Sequence, residues 1–154
     1  MFKCLFEKIK VPTIRIEPIE DYFSMPIQMT SGSSGFDIYS TIDVQINPMD
    51  RVKIPTGFKI QIPVGYELQI KSRSGLADRY GIIVIDSPAV IDNDYRGEVK
   101  VNLINLGKDP YKIERGDRVA QFTIARQRSM KWRIVNKINA DTLRGSGGFG
   151  HTGR

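Results

Sequence analysis

The stretch Asp43-Val44-Gln45-Ile46-Asn47-Pro48-Met49-Asp50-Arg51-Val52-Lys53-Ile54-Pro55-Thr56-Gly57-Phe58-Lys59-Ile60-Gln61-Ile62-Pro63-Val64-Gly65-Tyr66-Glu67-Leu68-Gln69-Ile70-Lys71 decides the fold class. Short segments, Asp43 to Pro48, Arg51 to Pro55, Phe58 to Pro63 and Tyr66 to Lys71, are cut by Asn-Pro, Pro-Thr-Gly and Pro-Val-Gly. Turn residues recurring at roughly eight- to twelve-residue spacing mark an all-β sandwich or barrel.

Upstream, Val11 to Pro18 alternates Ile14 and Ile16 with Arg15 and Glu17, the pattern of a half-buried strand. Residues 21–34 have little periodicity and end in Thr30-Ser31-Gly32-Ser33-Ser34, a loop, before Gly35-Phe36-Asp37-Ile38-Tyr39-Ser40 resumes strand character. Downstream, Ser72 to Tyr80 breaks the β pattern and predicts one short helix, with Leu76 and Tyr80 four residues apart. Strands are then expected at Ile82 to Ile85, Glu98 to Asn105, Tyr111 to Ile113, Arg118 to Arg126 and Lys131 to Ile134. From Ala140 the chain turns glycine-rich, and Gly145 to Gly153 cannot hold a fixed conformation unaided. The expected organisation is a β domain over residues 1–139 and a flexible arm over 140–154.

A chain of 154 residues supports one domain with its own core. No run of about 18 apolar residues occurs, which excludes a helical membrane span. The first ten residues, MFKCLFEKIK, are too short and too charged for a secretory leader, so the cytoplasm is the expected compartment. Cys4 is the only cysteine and His151 the only histidine, which excludes an intrachain disulfide and a His/Cys metal cluster. Any metal must be a hard cation held by oxygens. The net charge of +6 sits entirely from Arg126 onward, where seven Lys/Arg face one Asp. That field favours an anionic ligand, a nucleotide triphosphate or a nucleic acid, unless the tail only confers solubility.

Chemistry-bearing residues gather in several places. Ser87-Pro88-Ala89-Val90-Ile91-Asp92-Asn93-Asp94-Tyr95-Arg96-Gly97 runs turn residues into a short apolar segment that delivers two carboxylates and a ring. Such a site can hold a general base and a ligand-screening aromatic; the plainer reading is a strand end with Asp92 or Asp94 paired to Arg96. Ser72-Arg73-Ser74-Gly75 opens the expected helix, where amides and a guanidinium suit phosphate, or where a serine merely caps the helix. Arg115-Gly116-Asp117-Arg118-Val119-Ala120-Gln121 reads as a turn entering a strand. The tail Gly145-Ser146-Gly147-Gly148-Phe149-Gly150 lacks the Gly-Lys-Ser/Thr and the following helix of a phosphate loop. It can instead serve as an arm that stacks Phe149 on a base while Arg144 meets phosphate, or it is a disordered terminus.

Taken together and in this order, five segments resemble the trimeric deoxyuridine triphosphatases (dUTP diphosphatases) over nearly the whole chain. They are Gly35 to Ser40, Arg73-Ser74-Gly75-Leu76-Ala77, Val90 to Gly97, Gly116 to Gln121 and Arg144 to Gly153. The resemblance implies a jelly-roll-like distorted β-barrel in a homotrimer whose three active sites are shared between subunits. It implies hydrolysis of dUTP to dUMP and pyrophosphate with Mg²⁺, bound mainly by the three phosphates and water. Asp92 is then the general base for water attack on the α-phosphorus. Tyr95 lies against the deoxyribose and leaves no room for a 2′-hydroxyl. The hairpin from Asp86 through Ala89, Val90 and Ile91 reads uracil. Arg73, Ser74, Gly75 and Gln121 bind phosphate, and Asp37 is linked to the magnesium hydration shell. Arg144 meets the γ-phosphate, Phe149 stacks on the base, and Gly150 and His151 complete the arm. Neither membrane nor nucleic acid is an expected partner.

The chain departs from the family pattern at Ser72 (commonly Pro), Ala89 (often Gly), Asp86 (Asn in some relatives) and His151 (usually Ser). A dCTP deaminase of the same fold would need a glutamate at the position of Asn102, which cannot act as a base. A degenerate nucleotide-sensing module is opposed by the retained Asp92, Tyr95, Arg73 and Phe149. A nucleic-acid binder is opposed by the zero net charge of residues 1–125.

Overall fold

The computed structural model describes residues 11–148 and His151. Its elements run β1 (Arg15–Pro18), β2 (Phe36–Tyr39), β3 (Val44–Ile46), β4 (Arg51–Gln61), β5 (Tyr66–Lys71), α1 (Ser74–Tyr80), β6 (Ile82–Val84), β7 (Ala89–Ile91), β8 (Glu98–Asn105), β9 (Tyr111–Ile113) and β10 (Arg118–Arg126). One antiparallel sheet has the order β1-β4-β8-β6, a second β2-β10-β5-β7, and β3 pairs with β9 alone. Long-range pairing of strands distant in sequence, such as β10 with β2 and β5, gives the jelly-roll-like layout expected from the turn spacing.

Alternation positions the core. In β8, Val99, Val101 and Leu103 are buried while Lys100 faces out. They meet Ile54, Phe58 and Ile60 of β4, and Ile38, Leu68, Ile70 and Phe122 of the other sheet. Asn105 is fully buried yet satisfied: its amide nitrogen donates to the carbonyls of Ile46 (2.9 Å) and Asp109 (2.8 Å), and its oxygen accepts from the Gly107 amide (2.8 Å).

Two expectations change. Pro55-Thr56-Gly57 does not separate two strands; residues 51–61 form one continuous strand that absorbs the irregularity as a register shift between Pro55 and Lys59. Proline is tolerated there because the ladder is already disrupted. Gly57 takes φ +73°, and a Cβ on it would come within 2.7 Å of the Tyr22 backbone. The second change is at Lys131 to Ile134, which forms no strand: the last strand ends at Arg126. Trp132 is 89% and Ile134 100% exposed, and alternation without a ladder partner does not make a strand.

The helix starts at Arg73, which occupies the N-cap position with extended φ/ψ and no side-chain cap. The serine-cap alternative is therefore wrong. Ser72 Oγ is instead used across the chain, accepting from the Val84 amide at 2.9 Å. The helix stops at Gly81, left-handed at φ +70°, whose amide returns to the carbonyls of the last turn. A Cβ there would lie 2.8 Å from the Gly107 Cα, and the Gly81 carbonyl accepts from the Leu106 amide at 2.9 Å.

Candidate active site

Strand β7 and the turn before it, expected from the sequence as a hairpin although β6 and β7 lie in different sheets and do not pair with each other, build a cavity of about 550 Å³. Strand β7 is the edge of its sheet, paired on one side with β5 through Leu68↔Ile91, Gln69↔Val90 and Ile70↔Ala89. Its free side presents backbone donors and acceptors, the groups needed to read the edge of a planar heterocycle. Asp86, Ala89, Val90, Ile91, Asp92 and Tyr95 all line this cavity, so the structure brings the hairpin residues singled out in the sequence to one place. Ile70 and Val99 supply an apolar floor, and Lys53, Glu98, Lys100 and Asn102 complete the wall. Asp92 is exposed, directly after buried Ile91. Tyr95 is 43% exposed, and its hydroxyl donates to the Glu98 carbonyl at 2.8 Å. The pairing of Asp92 or Asp94 with Arg96 is not formed: Arg96 donates to the carbonyls of Asn93 and Tyr95, each at 2.7 Å.

A second group forms at the start of α1. Asp37 is 8% exposed and accepts from Arg118 Nη1 at 3.0 Å; its other oxygen is 3.5 Å from Arg73 Nε. Arg73 also donates to the Arg118 carbonyl. The first intrahelical bond is made by the Leu76 amide to the Arg73 carbonyl at 3.1 Å, so the Ser74 and Gly75 amides precede the helical ladder. Gln121 Nε2 donates to the Ser72 carbonyl at 2.9 Å. Its side chain lies over Gly35, where a Cβ would overlap the Gln121 side-chain oxygen. Beside this shelf, burial first, then the Asp117 carboxylate, raises the pKa of Tyr111 above its ordinary value. None of Arg73, Ser74, Gly75, Gln121 or Asp37 lines the hairpin cavity.

The arm contributes no element. Residues 127–148 carry neither helix nor strand, and Arg144 Nε donates to the Gly147 carbonyl at 2.9 Å. His151 is exposed, its amide 3.1 Å from the Gly148 carbonyl. Phe149 and Gly150 lie outside the described residues. No group of three or more His, Cys, Asp or Glu side chains able to hold a metal occurs among the described residues. Asp37, the one buried carboxylate among them, is already shared by two guanidiniums. This donor set fits a cation that arrives with an anionic ligand and keeps its water, not one caged by protein.

Sequence reasoning missed Glu98, Lys53 and Lys100 as parts of these sites, and it held Gly35 and Gly97 only as ends of two segments with no role of their own. Gly97 carried a local signal, standing two residues from the Tyr95 side chain that lies across it, whereas Gly35 meets Gln121 from a distant strand and carried none. The lysines and Glu98 carried none, because an outward residue on an alternating strand does not announce which cavity it faces.

Among the described residues no helix is long and apolar enough to cross a membrane. The dUTPase family model matches residues 21–153. The deoxyuridine 5′-triphosphate nucleotidohydrolase of Wolbachia pipientis subsp. Culex pipiens is 46% identical over 151 residues, covering 96% of this chain and 98% of its own. That of Desulfotalea psychrophila is 48% identical over 132 residues, covering 84% and 87%. In fold, the chain is similar to the Staphylococcus bacteriophage 80alpha dUTPase solved with dUPNHPP, at TM-score 0.84 and 24% identity, covering 92% and 99%. It is also similar to a mutant dUTPase from phage phi11 of S. aureus, described with a coordinated structural Mg(II) ion, at TM-score 0.74 and 22% identity, covering 81% and 97%. With a family match across most of its length and close relatives spanning nearly all of it, the chain belongs to the dUTPase family.

Proposed function

We propose that the protein hydrolyses dUTP to dUMP and pyrophosphate, keeping uracil out of DNA and supplying dUMP. The observation that carries this reading is the single cavity that collects an edge-strand hairpin, an exposed carboxylate and an aromatic ring. Uracil enters against the backbone of Ala89 to Ile91, and the Tyr95 ring lies along the deoxyribose. Asp92 accepts a proton from water as the water oxygen bonds to the α-phosphorus. The bond from that phosphorus to the bridging oxygen breaks, and pyrophosphate leaves with the electron pair.

The phosphates are bound by Arg73, the Ser74 and Gly75 amides and Gln121. Because that shelf does not line the hairpin cavity, the two are joined in a homotrimer, where a neighbour's shelf meets each cavity. Arg144, Phe149, Gly150 and His151 close over the ligand from the arm that starts at about residue 140 and exclude water. Mg²⁺ carried on the triphosphate supplies charge neutralisation for the leaving pyrophosphate. Asp37 contributes by holding Arg73 and Arg118 in place, and it would act on Mg²⁺ brought in with the triphosphate only through the ion's water. The protein works in the cytoplasm without membrane or nucleic-acid partners.

The test is pyrophosphate release with dUTP, dTTP, UTP and dCTP in parallel. Turnover should be confined essentially to dUTP. Equal turnover of dTTP would remove the hairpin as base reader, and ammonia release from dCTP would replace the hydrolase reading with deamination.

A further inference from the structure

The ring of Tyr95 is not held by burial, since nearly half of it is exposed. Two other features hold it. Its hydroxyl donates to the Glu98 carbonyl at 2.8 Å. Its ring edge lies on Gly97, where a Cβ would sit 2.7 Å from Tyr95 Cζ and closer still to the hydroxyl. The turn beneath is closed by the Tyr95 amide to the Asp92 carbonyl at 3.2 Å and by Arg96 across the carbonyls of Asn93 and Tyr95.

Glu98 is in turn fixed from the core. Its carboxylate accepts from the Gly57 amide at 3.2 Å, and its other oxygen is 3.3 Å from Lys100 Nζ. Thr56 Oγ1 donates to the carbonyl of the next residue, Val99, at 2.7 Å. Both Thr56 and Gly57 lie in the irregular part of β4, which is wedged against Tyr22. A continuous set of contacts therefore runs from the β4 bulge through Glu98 to the hydroxyl of the ring.

We propose that Gly97 and Glu98 are positioning residues that set the sugar selectivity of the cavity by fixing the Tyr95 ring. This rests on the reading of Tyr95 as the residue that faces the deoxyribose. Rejecting one extra hydroxyl by shape demands a ring held to a fraction of an ångström, and a half-exposed ring on a free rotor cannot do that. Gly97 removes the side chain that would push the ring aside, and Glu98 supplies the acceptor that stops it turning away.

The experiment measures kcat/KM for dUTP and for UTP on the full-length chain and four variants. Thermal unfolding and sedimentation establish that each variant is folded and assembled as the wild type is. Tyr95→Phe removes only the hydroxyl bond and should lower the dUTP/UTP ratio about three- to tenfold, the range of one neutral hydrogen bond. Gly97→Ala should lower it roughly tenfold or more, because the ring is displaced outright. Glu98→Ala should lower it, and Glu98→Gln, which keeps an acceptor for the Gly57 amide, should restore it. An unchanged ratio in Tyr95→Phe and Glu98→Ala, with a wild type that favours dUTP strongly, overturns the positioning role alone. A wild type that does not favour dUTP over UTP overturns Tyr95 as the sugar gate, and the proposal with it.

Discussion

The hairpin cavity and the Arg73 shelf are built on opposite plans. The cavity is centred on one stretch of chain, Asp86 through Lys100, walled by Lys53, Ile70 and Asn102, and its Asp92 carboxylate is exposed. The shelf draws on β2, the start of α1 and β10, and its charged groups are already engaged with one another. Asp37 sits between two guanidiniums, so the shelf reaches a stable arrangement without ligand while keeping a positive surplus. A site that must select shape is left open, and a site that must attract charge is preassembled. On the proposed reading neither is sufficient alone, and catalysis is expected where copies of the chain bring cavity and shelf together.

The largest expected effect comes from attacking each plan separately. Asp92→Asn should slow turnover by about two to four orders of magnitude with nucleotide binding kept, because the water proton loses its acceptor. Arg73→Ala should also inactivate while staying folded, since Asp37 retains Arg118. Refolding the two inactive variants as a mixture should then restore turnover, because some sites would pair an intact cavity with an intact shelf. No recovery in the mixture would mean that one chain completes its own site.

Truncation before Arg144 should leave stability unchanged, since no described residue after Arg126 belongs to the core cluster, and should lower kcat/KM roughly tenfold or more. Full activity in the truncated protein would show that cavity and shelf need no cover. A smaller and more selective effect is expected from Gly35→Ala. Its methyl would displace the flexible end of the Gln121 side chain, so stability in thermal or denaturant unfolding should change little. The KM for dUTP should rise with the dUTP/UTP ratio unmoved, because the shelf does not touch the sugar. A changed ratio would break the separation between the two regions.

The sequence made the β class legible because turn residues and alternation are local signals. It misplaced what depends on distant partners. Pro55-Thr56-Gly57 looks like a turn, yet β8 on one side and β1 on the other keep residues 51–61 in one strand. Lys131 to Ile134 has a strand's alternation, and among the described residues no strand pairs with it. Within the site, residue type drew notice to Asp92 and Tyr95, and the family resemblance supplied the roles proposed for them. Glu98 drew none, because its part is played by a backbone carbonyl and by a carboxylate turned back on Gly57.

The contact between Gly81 and Gly107 has a consequence for how the molecule can vary. Gly81 has no room for a side chain against the Gly107 backbone, and a side chain on Gly107 would collide with the Tyr80 carbonyl. The Gly107 backbone blocks a replacement at Gly81 and the Tyr80 carbonyl blocks one at Gly107, so single substitutions at either position are closed routes. The downstream end of α1 is thereby pinned, and each added or lost residue would rotate its start by about 100°. The length of this seven-residue helix is therefore inherited as a block, and with it the direction in which Arg73 faces.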